Sequence, residues 1–274
     1  MAFRSPDLWV KSGGIALLFA KNSLKRYQHL IKWKKDASIL ELGFGTGHNS
    51  MQYLVPLLPK DYKEFIGSDV SEEMVDYAKN DFKIPKSKVV KLDACSDVPN
   101  EYRERFDHIF AFMLIHMLNK PREAFKNIHT MLKPGGSTFI MFMERKPVEY
   151  VMAQLKLHPK WSKYDHDVMI APYFYSKSPQ ELYKKDIDSA GFVDYFMEAQ
   201  NDSYICEEEE FIDLHMCVNV VIPTIPEELR EEYIKEYFKE VHKSPVTTIR
   251  QENGKNIFIT NAKVISLYAT RQLH

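Results

Sequence analysis

The tightest constraint on the fold of this chain is a glycine-rich turn, ELGFGTG, at residues 41–47. The apolar run 37–42 leads into it without polar alternation, which is typical of a strand buried on both faces of a parallel sheet. Residues 48–58 follow with helical spacing. Glycines at such a junction let the backbone pass close to a ligand, and the helix N-terminus favours polar or negative groups. The turn therefore predicts a ligand site at the end of a buried strand.

The rest of the chain repeats this alternation of strand and helix. Six further segments have the apolar character of strands, namely residues 64–69, 89–93, 106–113, 137–143, 191–197 and 262–269. Helices are predicted between most of them. The helix that begins after Ser71 has Glu72 and Glu73 in its first turn, where their negative charges interact favourably with the positive end of the helix dipole. This order predicts an α/β fold with a Rossmann-like, doubly wound and mostly parallel sheet of seven strands.

Charge and composition exclude several classes of protein. The chain has 274 residues, with 37 Lys and Arg against 38 Asp and Glu, a formal net charge of −1 and a pI of about 6.8. A protein that neutralises nucleic-acid phosphates usually shows a basic excess, so we expect no nucleic-acid partner. With 45% hydrophobic and 27% charged residues, the composition predicts a packed core rather than disorder.

The cysteines and the apolar segments indicate a reducing compartment and no membrane span. Cys95, Cys206 and Cys217 are odd in number and lack a CxxC pair, so we expect free thiols. The longest apolar stretch, 109–118, is about half of the ~20 residues that a bilayer requires. The N-terminus lacks the pattern of a signal peptide. These features predict a cytoplasmic protein without a membrane partner.

The spacing of the glycines separates two classes of cofactor. A dinucleotide fingerprint, GxGxxG, would place its third glycine at position 48, which is His48, whereas this chain has GxGxG. Asp69 ends the next strand, where a carboxylate can accept both hydroxyls of an adenosine ribose. Asp93 and Ala94 end the third strand and could contact the adenine edge. Since these strand ends converge on one crevice, they predict an adenosine-bearing cofactor.

With these residues the chain resembles class I S-adenosylmethionine-dependent methyltransferases, which share the glycine turn, the strand-ending acid, the Asp-Ala pair and the Leu-Lys-Pro-Gly-Gly sequence before the fifth strand. Several segments look more specifically like the insect juvenile hormone acid methyltransferases and their arthropod relatives. These segments are residues 31–35, 71–78, 106–110, 122–128 and 263–269. The resemblance runs from the N-terminal helix to the C-terminal strand, and it is more specific for fold and cofactor than for the methyl acceptor.

The resemblance implies S-adenosyl-L-methionine as cofactor, with S-adenosyl-L-homocysteine as product, and assigns the cofactor site. Gly43, Gly45 and Gly47 would line the methionine part, Asp69 with Val70 the ribose, and Asp93 with Ala94 the adenine, while Glu41 adds a further carboxylate for a cationic cofactor. No metal is expected.

The methyl acceptor is the part of the function that the sequence defines least. Family members that methylate a carboxylate tend to hold it with a Gln and a Trp, and the matching positions are Ala16 and Met117, whose side chains cannot donate a hydrogen bond. The resemblance still favours a small lipophilic acceptor, the carboxylate of an isoprenoid acid such as juvenile hormone acid or farnesoic acid. An N- or O-methyltransferase of another small molecule and a catalytically inactive cofactor-binding protein remain the alternatives.

A general base would be useful for an amine or phenol acceptor but not for an ionised carboxylate. His116, directly after the fourth strand, is the candidate base, with a structural histidine as the alternative. Trp161 and Tyr173 are candidates for the wall of the acceptor pocket, with ordinary core as the alternative. The run 165–167, Asp-His-Asp, is interpreted as a solvated turn rather than a metal site.

The order of the elements predicts one methyltransferase domain, residues 1–274, with two additions to its sheet. Residues 36–145 would form the cofactor-binding core, and residues 1–35 an N-terminal helical lid. Residues 207–243 read as a helical cap inserted before the last strand, because that strand completes the sheet. Both additions are expected to cover the acceptor. Nothing in the sequence predicts the oligomeric state.

Overall fold

The computed structural model describes residues 6–273, which form one mixed sheet with helices on both faces. The strands are β1 (Ser38–Leu42), β2 (Glu64–Asp69), β3 (Ser87–Lys91), β4 (Phe106–Phe112), β5 (Leu132–Met143), β6 (Tyr195–Glu207), β7 (Thr247–Glu252) and β8 (Lys255–Thr270). The helices are α1 (Pro6–Ser12), α2 (Gly14–Tyr27), α3 (Glu72–Asp81), α4 (Pro121–Met131), α5 (Pro147–Leu155), α6 (Pro179–Ser189), α7 (Glu208–Val218) and α8 (Glu227–His242). The predicted α/β class and Rossmann-like fold are confirmed.

The strands follow the order β3-β2-β1-β4-β5-β8-β6, and β7 pairs with β8. β1 to β5 are parallel, while β8 runs antiparallel to β5, β6 and β7. The carboxyl ends of β1, β2 and β4 therefore lie side by side at one edge of the sheet, where ligands of doubly wound folds bind.

The sheet has eight strands, not the seven predicted, because β7 forms a hairpin with the start of β8. The residues of β7 are mostly exposed and polar, so they carry no apolar pattern. The turn between the two strands, Asn253-Gly254, has positive φ at both residues, as a two-residue hairpin turn of type I′ requires. That dipeptide is the sequence signal from which the extra strand could have been predicted.

Alternate residues of the central strands pack into two separate cores. Ile39, Phe65 and Phe110 belong to the core that α2 and α3 cover, whereas the neighbouring Leu40 and Ile66 belong to the core under α4 and α6. Burial on both faces explains why β1, β2 and β4 read as apolar runs without alternation. Helices on the two faces leave the strand ends free to form a site.

The predicted elements differ from the observed ones mainly at their boundaries. The helix expected over 48–58 is helical, but it contains a π-helix at Ser50–Leu54 and a 3-10 turn at Val55–Leu57. The helix after Ser71 is confirmed, with the Ser71 hydroxyl accepting from the Met74 amide. The described part of the predicted N-terminal lid contains two helices, α1 and α2. Residues 1–5 of that lid lie outside the described part of the chain.

The N-terminal helix α1 packs against α7, which lies in the predicted cap. Lys11 of α1 pairs with Glu209 at 2.9 Å and with Asp213 at 2.7 Å, both of α7. Two segments far apart in the sequence thus meet over the carboxyl edge of the sheet. All three cysteines are free, as predicted. No helix within residues 6–273 combines the length and the hydrophobicity needed to cross a bilayer.

Candidate active site

A cavity of about 400 Å³ opens at the carboxyl ends of β1, β2 and β4. α1, α2 and α7 close it from above, through residues that include Trp9, Ile15 and Leu214. Most of the predicted site residues line it, namely Gly43, Gly45, Asp69, Val70, Asp93, Ala94, His116 and Met117. Among the described residues, Glu41, Gly47, Ala16, Trp161 and Tyr173 do not line it.

The glycine turn has a backbone that other residues adopt only with strain. Gly43, Gly45 and Gly47 have φ values of 68°, 57° and 78°. A Cβ atom on Gly43 would lie 2.8 Å from the Leu114 side chain, and one on Gly47 would lie 2.6 Å from the ring of Phe44. Gly43 and Gly45 therefore present bare backbone to the cavity, while Gly47 shapes the turn from outside it.

The two predicted carboxylates, Asp69 and Asp93, stand at neighbouring strand ends and accept hydrogen bonds from backbone amides and a hydroxyl. Asp69 accepts from the amides of Gly45 and Ser71, each at 2.9 Å. Burial raises the pKa of Asp69, although these amides oppose the shift. Asp93 accepts from the Cys95 amide at 2.8 Å and the Ser96 hydroxyl at 2.9 Å. Because each carboxylate oxygen has two lone pairs, both groups can still accept ligand hydroxyls or amines.

The residues at this end of the cavity fit an adenosylated amino acid. The Thr46 hydroxyl is buried in the cavity wall and has no hydrogen-bond partner within residues 6–273. A buried polar atom of this kind is costly unless a ligand or water satisfies it. Thr46, in the glycine turn, is a binding candidate that the sequence reasoning missed, although its position within GxGTG was the available signal.

Glu41 lies beneath the glycine turn instead of inside the cavity. Its side chain is fully buried, and its Oε2 accepts from the Ser50 hydroxyl at 2.6 Å. Burial raises the pKa of Glu41 to about 8, and the Ser50 hydrogen bond only partly offsets the shift. Glu41 thus braces the start of the π-helical segment against β1, so its predicted direct contact with the cofactor is not found in the geometry.

His116 belongs to a 3-10 turn that follows β4, and its buried ring lines the cavity. The Met143 amide donates to His116 Nδ1 at 3.1 Å, so the ring proton lies on Nε2. Burial lowers the pKa of His116 well below its usual value, and the charge of Lys146 adds to the shift. The ring is therefore a neutral hydrogen-bond donor. This geometry runs against the predicted general base, which needs a free ring lone pair.

Much of the remaining lining of the cavity is apolar, and this part, where the acceptor is expected, is called the acceptor half. Its lining includes Ile15, Leu17, Met117, Val148, Met169 and Leu214. Lys146, three residues beyond β5, also lines this wall although it is only 4% exposed. The sequence reasoning missed Lys146 because it stands in the charged run Glu144-Arg145-Lys146, which looks like ordinary surface.

Three predicted acceptor residues do not line the cavity. Trp161 is 1% exposed and packs edge-on against Tyr233 at 5.3 Å between ring centroids. The Tyr173 hydroxyl donates to Asp186, outside the cavity. Ala16 is buried on the inner face of α2, although its two neighbours line the cavity. For Trp161 and Tyr173, the aromatic side chain alone does not show whether the residue lines the pocket.

The Asp-His-Asp run does not form the solvated turn that was predicted. His166 is 1% exposed, and its Nε2 lies 3.2 Å from the Tyr233 hydroxyl. The flanking Asp165 and Asp167 remain at the surface. Within residues 6–273, no group of three or more His, Cys, Asp or Glu side chains is arranged to hold a metal ion.

Known proteins match this chain over most of its length. The family model of a methyltransferase domain matches residues 39–136. A juvenile hormone acid O-methyltransferase from Drosophila melanogaster is 30% identical over 223 residues, which are 78% of this chain and 75% of that protein. The Bombyx mori enzyme of the same name is 28% identical over 271 residues, 97% of this chain and 96% of that protein.

Solved structures share the same fold. The YcgJ protein of Bacillus subtilis aligns with a TM-score of 0.61 at 18% identity, over 92% of this chain and 99% of that one. Phosphoethanolamine N-methyltransferase 2 of Haemonchus contortus, solved with S-adenosyl-L-methionine, aligns with a TM-score of 0.52 at 14% identity, over 96% of this chain and 57% of that one. Likeness at this level of identity shows the fold alone. With the Drosophila relative and the matched domain, the sequence establishes that the chain belongs to the juvenile hormone acid methyltransferase family of S-adenosylmethionine-dependent methyltransferases.

Proposed function

We propose that this enzyme transfers a methyl group from S-adenosyl-L-methionine to the carboxylate of a lipophilic isoprenoid acid, such as juvenile hormone acid or farnesoic acid. The observation that carries the proposal is the state of His116. Its Nδ1 accepts from the Met143 amide, so the ring is a donor and not a base. A carboxylate is already ionised at neutral pH and needs no base, whereas an amine or phenol does.

The cofactor occupies the polar half of the cavity in this proposal. Asp69 would accept the ribose hydroxyls, Asp93 and Ala94 would face the adenine, and the turn at Gly43 and Gly45 would face the methionine part. The cofactor supplies an electrophilic methyl group on a sulfonium. S-adenosyl-L-homocysteine is the product that remains.

The protein's own contribution is alignment and exclusion of water. Methyl transfer is an in-line displacement, so the rate depends on holding the acceptor oxygen behind the methyl carbon. The apolar wall around Met117 and Leu214 suits a hydrocarbon chain. The segments 1–35 and 207–243 act as lid and cap in this proposal, since Trp9 of α1 and Leu214 of α7 line the cavity.

Mass spectrometry of reactions with matched acceptors tests the proposal. Farnesoic acid, farnesol and farnesylamine share one hydrocarbon chain and differ in the reacting group. Incubation of each with the enzyme and S-adenosyl-L-methionine should yield methyl farnesoate from the acid and no methylated product from the alcohol or the amine. Methylation of the amine or the alcohol without ester formation would support an N- or O-methyltransferase instead. Cofactor binding without turnover on any of them would support an inactive binding protein.

A further inference from the structure

Lys146 is a buried lysine in the wall of the acceptor half of the cavity. Burial lowers its pKa, whereas the Glu149 carboxylate opposes that shift and favours the ammonium form. The Lys146 side chain is 5% exposed, and its counterion is Glu149 of α5, with Nζ and Oε1 3.8 Å apart. At this separation the two groups form an ion pair, but they are too far apart for a hydrogen bond. Within residues 6–273, Glu149 is the one side chain with which the Lys146 ammonium forms an ion pair.

The Glu149 carboxylate accepts hydrogen bonds from two backbone amides. Its Oε2 accepts from the Lys146 amide at 2.6 Å, and its Oε1 accepts from the Ala171 amide at 2.7 Å. The carboxylate therefore serves to fix the start of α5 and the segment at Ala171. The ammonium keeps three N–H donors, and the cavity is the side on which a further acceptor can approach.

The cavity offers no other anion near this ammonium. Among the described residues that line it, the acidic ones are Asp69 and Asp93, and both belong to the strand ends of the cofactor half. Val148 and Met169 are among the apolar residues that line the cavity together with Lys146. A buried charge that is only partly paired is costly, so a ligand anion bound here would be stabilising.

We propose that Lys146 is the residue that binds the acceptor carboxylate, through a charge-assisted hydrogen bond from its ammonium, with His116 Nε2–H as the second donor. This inference rests on the proposed function and specifies how the acceptor is recognised. His116 lies close enough to Lys146 for the lysine charge to affect the ring, and both side chains line the cavity. Two donors from the sheet edge would thus replace the Gln and Trp donors that Ala16 and Met117 cannot supply.

The same arrangement selects against the alternative acceptors. A protonated amine would be repelled by the ammonium, and the sulfonium of the cofactor would add a second positive charge nearby. A carboxylate would instead be attracted both by the Lys146 ammonium and by the sulfonium of the cofactor. A neutral alcohol would gain hydrogen bonds but no charge attraction, so it should bind more weakly than the acid.

Calorimetry on the enzyme saturated with S-adenosyl-L-homocysteine tests Lys146 with farnesoic acid and farnesol as probes. Lys146→Met should weaken binding of farnesoic acid by about tenfold or more and change farnesol binding by less than about twofold. Lys146→Arg should keep most of the affinity because it keeps the charge. Lys156→Met, which removes an exposed lysine paired with Asp167, is the matched control and should bind both probes like the wild type.

Steady-state kinetics adds a second readout. The KM for farnesoic acid should rise in Lys146→Met more than kcat falls. Because that variant leaves the Glu149 carboxylate without its counterion, the double variant Lys146→Met with Glu149→Gln removes both charges. The Gln side chain can accept from only one of the two backbone amides that Glu149 binds, so circular dichroism first establishes that the double variant is folded. The folded double variant should show the same loss for the acid.

The outcomes separate the two proposals. Wild-type affinity for farnesoic acid in the folded double variant would overturn the role of Lys146 and leave the proposed function intact. Failure of the wild-type enzyme to bind or methylate farnesoic acid would overturn the proposed function and this inference together.

Discussion

The two halves of the cavity are built in different ways. The cofactor half comes from successive strand ends, with Gly43 and Gly45 after β1, Asp69 at the end of β2 and Asp93 two residues beyond β3. The acceptor half combines segments that are distant in sequence, from Ile15 of α2 to Leu214 of α7. Local motifs define the first half, whereas the second exists only after the tertiary structure has formed. A change in one half should therefore leave binding to the other largely intact.

The largest expected effect is a loss of cofactor affinity caused by a substitution in the cofactor half. Asp69→Ala removes the carboxylate proposed to accept two ribose hydroxyls, and hydrogen bonds to charged groups contribute about 1.5–3 kcal/mol each. Affinity for S-adenosyl-L-homocysteine, measured by calorimetry, should fall by about 100-fold or more. Asp61→Ala, a substitution of an exposed aspartate, is the control. Unchanged affinity in Asp69→Ala would show that the ribose site lies elsewhere.

The second prediction concerns the protonation state of Glu41, which is buried beneath the glycine turn. Its pKa is raised to about 8, above the ordinary value of 4.5, so its contribution to stability is full below about pH 4.5 and is lost as the pH rises towards 8. Glu41→Gln, which has no such titration, should become more stable relative to the wild type by up to about 3 kcal/mol between pH 5 and pH 8. Denaturant unfolding at the two pH values measures this difference. A constant difference would contradict a buried, neutral Glu41.

The smallest effect is expected where the lid meets the cap. Lys11→Ala removes the ion pairs of the exposed Lys11 with Glu209 and with the half-buried Asp213, and surface pairs are typically worth about 1 kcal/mol or less. The KM for the acceptor should rise by about two- to fivefold, while affinity for S-adenosyl-L-homocysteine stays the same. High salt should reduce the difference from the wild type. A larger loss of cofactor affinity than of acceptor affinity would count against the lid.

The strand ends that line the cavity could be predicted from the sequence, because their residues have fixed places in a repeating strand-turn-helix unit. Asp69 and Asp93 could be located by counting from the glycine turn, since parallel strands bring their carboxyl ends together. Thr46 and Glu41 show the limit of that reasoning. Both lie in the motif, yet only the structure shows that Thr46 faces the cavity and Glu41 faces the core.

The acceptor half could not be predicted in the same way. Trp161 and Tyr173 are aromatic and lie on loops, but side-chain direction decides between core and pocket, and one sequence does not give it. Lys146 looks like surface charge until β5 and α5 place it at the cavity wall. The hairpin strand β7 was missed because its residues are polar and exposed. The failures in the acceptor half concern contacts between segments that are far apart in the chain, whereas β7 belongs to a local hairpin whose sequence signal is the Asn253-Gly254 turn.

The pH dependence of kcat/KM for farnesoic acid tests the central claim, that the acceptor half binds an anion and does not activate a nucleophile. The rate should be flat between about pH 5.5 and about pH 7.5, because the carboxylate is already ionised and His116 stays neutral throughout. A rise of about tenfold across this range, centred near the ordinary histidine pKa of about 6.5, would mean that a base must lose its proton before transfer. That result would contradict the account.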